Sequence, residues 1–511
     1  MTPRSRGRTS MWISASLAAA LSFTAVVSCG GFGFSKARAQ SPDGRALAAA
    51  EGLERVLSNV IESRAPSVVA IAQDRRHRGA SDGPLPFDVD PAGLRRTNPR
   101  SADFVPTYYG SGVIVDRSGL VLTNYHVLGF DDEDYEVDHY VTTSDRKIYR
   151  ARIKGADPRS DLAVLELVLP DDRPRQAFDF KPMPLGDGGA VKRGAMIVTL
   201  GNPYAIARDG QASAGWGIVS NVDRKLPASA DDDLVAGGKS TLHHYGGLIQ
   251  TDARLNLGAS GGALLNLRGE MIGLTTSVAA QVGYETPAGF AIAVDDVFRR
   301  ALDALRAGRE VEYGFLGVQP TQGDAEIESH GDESAGVRVD RLVRGGPGER
   351  AGLRRDDVIA AVNGHPVTTA DGLVLGVGRY APDERVRLSI IRNGQSSEMV
   401  AELTKARVVG RRIATNRPKA WRGLRVEYPA ALVVPHELIE IPADCVAICA
   451  IDPESPAARC ALATGMLISR VGETLVSSPT EFYRAVASTS GPIELTARAA
   501  GGQPKQFVVG E

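Results

Sequence analysis

NLGASGG, residues 256–262, sets Ser260 among small residues. Such a stretch reads either as a tight turn that presents a nucleophile or as a flexible spacer. A serine hydroxyl is a poor nucleophile until a base takes its proton. The base in turn needs a partner that fixes its tautomer and steadies its charged form. The choice therefore rests on residues elsewhere in the chain.

Two candidates stand out. Among eight histidines, His126 alone ends an apolar, strand-like run with a turn-forming lead-in, VLTNYHV. Asp161 opens a predominantly apolar strand, SDLAVLEL. A carboxylate there stands at a sheet edge, partly buried, where it can hold an imidazole. Taken singly, each has an ordinary reading: a structural histidine and a turn cap. Jointly, the order His126, Asp161, Ser260 with G-x-S-G-G is the chain order of chymotrypsin-type triads.

The surrounding pattern fits a β scaffold. From Tyr109 to about Val294, short β-branched runs are cut by Gly, Asn and Asp (GSGVIVD, GLVLTNYHV, MIVTLGN, GWGIVSNV, GFAIAV), the signature of an antiparallel barrel or sandwich. Before it, residues 46–65 have helical apolar spacing and PSVVAIAQD reads as a strand, followed by a long Pro-, Gly- and Arg-rich loop over 74–107. VDDVFRRALDALRAG reads as a closing helix ending near Gly308. Beyond it, residues 337–367 align without gaps to residues 446–476, so two copies of one small domain occupy the C-terminal part. Between the copies, residues 405–421 are rich in Lys and Arg with no acid and read as a solvated linker.

The 511 residues are 43% hydrophobic and 23% charged, with a formal net charge of -2. These values suit about three folded domains and give no basic excess for nucleic acid. Arg4, Arg6 and Arg8 precede an apolar run from Met11 to Cys29, and Ala37-x-Ala39 fits signal peptidase. Residues 1–39 therefore read as an export signal cut after Ala39. Its removal takes five cationic residues and leaves a net charge of about -7. Lipid attachment at Cys29 and retention as a membrane anchor are the other readings. The remaining Cys445, Cys449 and Cys460 are too few for a disulfide scaffold and read as buried thiols, with one pairing to Cys460 as the alternative.

TNYHVL, SDLAVLEL, GNPY, GIVS, IQTDARLNLGASGGALLNLRGEMIGL and GFAIAV occur in this order. Together they resemble the HtrA (DegP-like) family of exported trypsin-fold proteases, from about residue 50 to the end. The resemblance implies a mostly β chain with some α: a chymotrypsin-like double β-barrel followed by two PDZ domains. The protease domain would span about 46–309, with 40–108 supplying its N-terminal helix, first strand and loop and 109–309 completing it. The PDZ domains would cover 310–404 and 422–511, the second degenerate. Ser260 would be the nucleophile, His126 the general base and acid, and Asp161 its orienting carboxylate. The backbone N–H groups of Gly258 and Ser260 would form the oxyanion hole. No cofactor or metal is implied.

Departures from the family pattern carry expectations of their own. Ala259 replaces an Asn, which keeps the backbone donors but removes a side-chain anchor. Arg254 stands where a small or apolar residue is usual; pointing to solvent, it would leave Leu255 and Leu274 to line an apolar specificity pocket, and pointing inward it would favour acidic residues. YGFLGV, Tyr313, Gly314, Phe315, Leu316, Gly317 and Val318, resembles a PDZ carboxylate-binding loop for peptide C-termini. In the second copy Arg425 replaces a glycine there. The resemblance further implies unfolded or misfolded protein substrates and trimers or larger assemblies, with Phe104, Tyr108 and Tyr109 as contact candidates. It implies no nucleic-acid partner, a periplasmic or envelope location, and membrane association only through the N-terminal segment. The alternative function is a catalytically silent scaffold or chaperone working through its PDZ domains.

Overall fold

The computed structural model describes residues 44–77, 106, 108–130, 135–172, 174–202, 210–226, 240–276, 289–321, 336–433, 440–442 and 444–510. The export segment, Cys29 and Phe104 lie outside them. Residues to Gly52 form a unit apart, described as the exposed first turns of helix α1 (Gly44–Arg64), and Leu53 to Glu511 form a second. No helix among the described residues is long and apolar enough to cross a membrane.

Strands β1 (Val68–His77), β2 (Tyr108–Ile114), β3 (Leu120–Asn124), β4 (Tyr135–Thr142), β5 (Ile148–Asp157) and β6 (Leu162–Leu167) close into one barrel through a β5–β6 pairing. A second closed barrel holds β7 (Met196–Gly201), β8 (Ser213–Arg224), β9 (Leu248–Thr251), β10 (Ala263–Leu265), β11 (Met271–Thr276) and β12 (Gly289–Ala293). Apolar runs without polar alternation are explained by burial on both faces. In β6, Ala163 and Leu165 enter the lumen of the first barrel, while Leu162 and Val164 join the core between the barrels. Val121 and its neighbours Leu120 and Leu122 divide in the same way, as side chains two apart must. Helix α2 (Asp296–Arg306) seals that central core. Its N-cap Asp295 accepts from Phe298 N–H at 2.9 Å, and Phe298, Ala301, Leu302 and Leu305 recur at helical spacing on the buried face.

Beyond α2, a short pairing joins β13 (Gly314–Phe315) to a later strand, and β14 (Val318–Pro320), β15 (Val337–Leu342) and β16 (Val358–Val362) begin a sheet. Helix α3 (Pro347–Arg350) follows β15, β17 (His365–Pro366) flanks β16, and helix α4 (Ala370–Gly378) precedes β18 (Arg385–Arg392) and β19 (Gln395–Glu402). β20 (Thr404–Lys405) is the partner of β13, and β21 (Ile413–Ala414) follows. The last domain uses β22 (Leu424–Glu427), β23 (Val446–Ile451), β24 (Leu467–Val471), β25 (Thr474–Leu475), helix α5 (Pro479–Ala487), β26 (Ile493–Arg498) and β27 (Lys505–Val509). Its order β22-β23-β24-β26-β27, with β25 on β24, repeats β14-β15-β16-β18-β19, with β17 on β16. Each copy encloses its own core.

Residues 405–421 depart from the solvated linker expected of their composition. β21 pairs antiparallel with β5 of the first barrel, matching Ile413 to Ala156, and Ala406 and Val408 enter the central core. Lys405 is 2% exposed. Its ammonium meets Glu427 at 2.7 Å, Glu312 at 3.0 Å and Glu310 at 3.1 Å. Burial alone would pull its pKa down, but these three carboxylates outweigh it and raise it. The basic residues look solvated in sequence because their acidic partners lie on other segments. Cys445, Cys449 and Cys460 all carry free thiols, and burial pushes Cys445 up to about 11.

Candidate active site

Pairing of β3 with β6 sets Asn124 opposite Leu162, so the 3-10 turn Tyr125–Val127 emerges directly across from Asp161. Asp161 has φ +55, a left-handed conformation that Asp tolerates better than most residues. This bend turns both its carbonyl and its carboxylate toward the histidine turn. The carbonyl accepts from Tyr125 N–H at 3.0 Å and the carboxylate from His126 N–H at 3.0 Å. His126 Nδ1 lies 2.8 Å from Asp161 Oδ2 and 3.0 Å from Oδ1. Asn124, which sequence reading missed, donates from Nδ2 to the carbonyl and carboxylate of Asp161 at 3.3 Å each.

Burial works against charge on the His126 ring, yet the Asp161 charge and hydrogen bond win, and its pKa is raised. Asp161 responds in reverse: burial favours its neutral form, but His126 holds it below the usual carboxylate range. His126 Nε2 is buried with no hydrogen-bond partner among the described residues. His243, another residue the sequence did not single out, is buried near the same carboxylate. Burial lowers it to about 4, so it stays neutral there.

Ser260 lies in a turn at the rim of the second barrel. Gly258 (φ +89) and Gly261 (φ +84) take backbone angles that L side chains resist. A Cβ on Gly258 would stand 2.8 Å from the Tyr109 ring and 2.9 Å from the Asn202 carbonyl. The Tyr109 ring, read from the sequence as either an assembly contact or barrel packing, thus lies against this turn. Gly258 N–H has no acceptor among the described residues. The first barrel grips the turn through Ser111. Its N–H donates to Ser260 O at 2.8 Å, its Oγ donates to Gly258 O at 2.7 Å, and the same Oγ accepts from Asn202 N–H at 2.7 Å. Thr275 Oγ1 donates to Ala259 O at 2.6 Å, an anchor from beneath in the absence of an Asn side chain. The two barrels meet at Gly110: a Cβ there would be 2.6 Å from Val127 and 3.4 Å from Ser260 O. The histidine turn and the serine turn thus face each other across one residue of β2.

Ser111→Ala leaves the Gly258 carbonyl and Asn202 N–H unsatisfied in a buried place. It is expected to lower kcat by about a hundredfold with KM nearly unchanged, the size of effect typical of a disturbed oxyanion donor. Steady-state kinetics on a chromogenic peptide checks this.

Beside Ala259 a pocket of about 390 Å³ opens between β7, β8 and the turn. Arg254 and Leu255 border it, and Arg254 is exposed rather than buried in it. Leu274 does not border it: its side chain is fully buried in the central core, and the next residue, Thr275, reaches the pocket instead. With Thr199, Ser213 and Asp252 also on its walls, the pocket is mixed rather than apolar, correcting the expectation based on Leu274.

Residues 110–274 match the trypsin-like peptidase domain and residues 314–403 the PDZ domain. A probable periplasmic serine endoprotease DegP-like protein of Chlamydia trachomatis serovar D is 30% identical over 446 residues, covering 83% of this chain and 80% of that one. The chain belongs to the DegP-like, HtrA-type family of serine endoproteases. A second DegP-like relative, from Chlamydia muridarum, is 28% identical and covers 92% of this chain and 93% of its own. Among solved structures, the HtrA-type protease AlgW with decapeptide is 27% identical with a TM-score of 0.47, covering 68% of this chain and 98% of that chain. As a family member the chain is a serine endopeptidase with a trypsin-like double barrel and a PDZ domain. The catalytically silent reading is not favoured.

In the PDZ part the structure divides the expected peptide loop. Tyr313 is fully buried, and its hydroxyl donates to Asp157 Oδ2 at 2.5 Å. Gly314 N–H is spent on the Tyr380 carbonyl at 2.7 Å. Tyr313 thus roots the domain, while Gly314 borders the peptide groove with its own N–H already engaged. Phe315, Leu316, Gly317 and Val318 border a groove of about 210 Å³, and the N–H groups of Leu316 and Gly317 have no acceptor among the described residues. In the second copy Leu424 N–H is taken by the Trp421 carbonyl at 2.8 Å and Arg425 pairs with Asp452 at 2.7 Å.

Proposed function

We propose that Ser260, His126 and Asp161 form the catalytic triad of an exported, ATP-independent endopeptidase that degrades unfolded or misfolded proteins. The observation that carries this reading is the imidazole of His126, held at Nδ1 by Asp161 at 2.8 Å with a buried, unengaged Nε2. Ser260 Oγ attacks the scissile carbonyl carbon while its proton passes to His126 Nε2. The resulting oxyanion is met by the N–H groups of Gly258 and Ser260. Collapse breaks the C–N bond, the amine leaves with the proton from Nε2, and water then hydrolyses the acyl-enzyme by the same steps in reverse roles. Asp161 stays ionised and keeps Nδ1 protonated throughout.

The periplasmic names of the relatives and the export pattern of residues 1–39 support a periplasmic site of action, with Cys29 lipidation or anchor retention as variants of it. The first PDZ domain takes peptide C-termini: β14 is an edge strand, so a peptide can add to it while the free N–H groups of Leu316 and Gly317 meet its carboxylate. The second PDZ domain, with its corresponding turn already bonded internally, serves packing. Assembly into trimers or larger forms uses the exposed Tyr108. A peptidyl phosphonate ester is expected to give one adduct per chain, on Ser260, by mass spectrometry, and the same preparation to cleave reduced, alkylated lactalbumin without ATP. A chain that does neither in the presence of unfolded protein is a scaffold.

A further inference from the structure

The groove of the first PDZ domain is not made by that domain alone. Phe315, Leu316 and Val318 form one apolar wall and Leu373 and Val377 of α4 the other, but Arg159 and Tyr245 of the protease domain also border it. α4 is seated against the second barrel, where Lys225 bridges to Asp371 at 2.8 Å. Two cations, Arg159 and Arg407, thus lie beside an apolar slot. Neither has a carboxylate ion-pair partner among the described residues. Arg407 is steadied by donating to the Leu432 carbonyl at 2.6 Å. Arg159 is steadied differently: its guanidinium lies over the Tyr313 ring, 5.1 Å from the centroid.

Arg159 Nε is buried and has no hydrogen-bond acceptor among the described residues. A buried donor without an acceptor is costly, so the fold leaves the hydrogen bonding of this guanidinium incomplete where the residue borders the groove. Asp157 lies nearby: its Oδ2 accepts from the Ser160 and Tyr313 hydroxyls, its buried Oδ1 has no hydrogen-bond partner among the described residues, and burial holds its carboxyl above the usual range, toward the neutral form. The unengaged N–H groups of Leu316 and Gly317 add further donors at the same groove. Apolar walls, free amides and a held guanidinium together fit one kind of occupant.

We propose that Arg159, supplied by the protease domain, receives the terminal carboxylate of a peptide whose last, apolar side chain lies between α4 and β14. This deepens the reading that the first PDZ domain takes C-termini and rests on it. The site is then composite: one of its two bordering cations comes from the turn that leads, two residues later, into Asp161. Free C-termini ending in apolar residues, as exposed when a protein unfolds or is cut, are the ligand class.

The test uses the full chain carrying Ser260→Ala, so that probes are not cut, and fluorescence anisotropy with a labelled decapeptide ending in valine. The free acid is expected to bind saturably, its amide at least tenfold more weakly. Arg159→Gln is expected to weaken the free acid by about tenfold to a hundredfold and leave the amide unchanged, the range of a charge-assisted hydrogen bond. Arg159→Lys keeps the charge and is expected to stay within about threefold, with both variants checked by thermal midpoint. Equal affinity of Arg159→Gln and parent for the free acid overturns this inference while leaving the PDZ reading standing. So does an amidated peptide ending in Asp that binds as tightly as the acid. Absence of saturable binding to the parent chain sinks both.

Discussion

Ser260→Ala is expected to lower the turnover of an unfolded protein by about 10⁶-fold and to abolish phosphonate labelling. The magnitude follows from the way a triad acts as one unit: without the nucleophile, neither base nor carboxylate has a reaction to assist. What survives is the background supplied by the oxyanion donors and binding, on the order of 10³ to 10⁴ over water. The fold has little reason to change. A bond that ties this residue to the first barrel uses its backbone carbonyl, which accepts from Ser111 N–H at 2.8 Å and is retained by alanine. Thermal unfolding and anisotropy with the C-terminal peptide are therefore expected to match the parent. Persistent cleavage by the alanine variant, after contaminating proteases are excluded by a tagged purification, would refute the assignment of Ser260.

Asp161→Asn is expected to lower kcat by about 10⁴-fold. An amide can present its NH₂ to Nδ1 and so favour the tautomer with the proton on Nε2, the nitrogen that must receive one. It also removes the charge that stabilises the imidazolium. The pH dependence gives a second, independent readout. His126 acts as a base only when neutral. In the parent its pKa is raised above 6.5, so activity is expected to be lost as pH falls through a midpoint above that value. In the variant the two raising influences, the charge and the hydrogen bond of Asp161, are gone while burial remains. The acid limb of kcat/KM is then expected to move below 6.5. A limb that stays where it was, at any level of residual activity, would mean that another group sets it. His243 is not that group in the parent: its pKa near 4 keeps it neutral across the working range.

Much of the proposed site was legible in the sequence, and the reason is chemical. Acyl transfer needs a particular set of side-chain types, and each sits in a local pattern that a single segment displays: a strand ending at His126, a strand opening at Asp161, a turn of small residues at Ser260. The barrel was legible because β6 and its neighbours announce burial on both faces through unbroken apolar runs. The supporting residues were not legible. Ser111 is one serine among many until the fold brings it to Gly258, 147 positions away. Asn124 gains its meaning only from Asp161, 37 positions on. Leu274 and Thr275 show the same limit at finer scale. Adjacent strand residues point to opposite faces, and the register that sends Leu274 to the core and Thr275 to the pocket is set by pairing with β10 and β12.

NLGASGG by itself determined that the chain can make a tight turn around a serine, because Gly258 and Gly261 admit positive φ where other residues are strained. Together with His126 and Asp161 it pointed to acyl transfer, the reaction class of the serine endoprotease family to which the chain belongs. The tertiary structure alone decided what holds that turn, which is Ser111 from the other barrel and Thr275 from beneath, in place of the missing Asn at Ala259. It alone turned the basic segment after Thr404 into a strand and a buried lysine, since Glu310, Glu312 and Glu427 come together only in space. It alone set Arg159 at the mouth of the first PDZ groove. Local sequence specifies which backbone conformations and which chemistry are available; partners more than a few residues apart are specified only by packing, which no single segment carries.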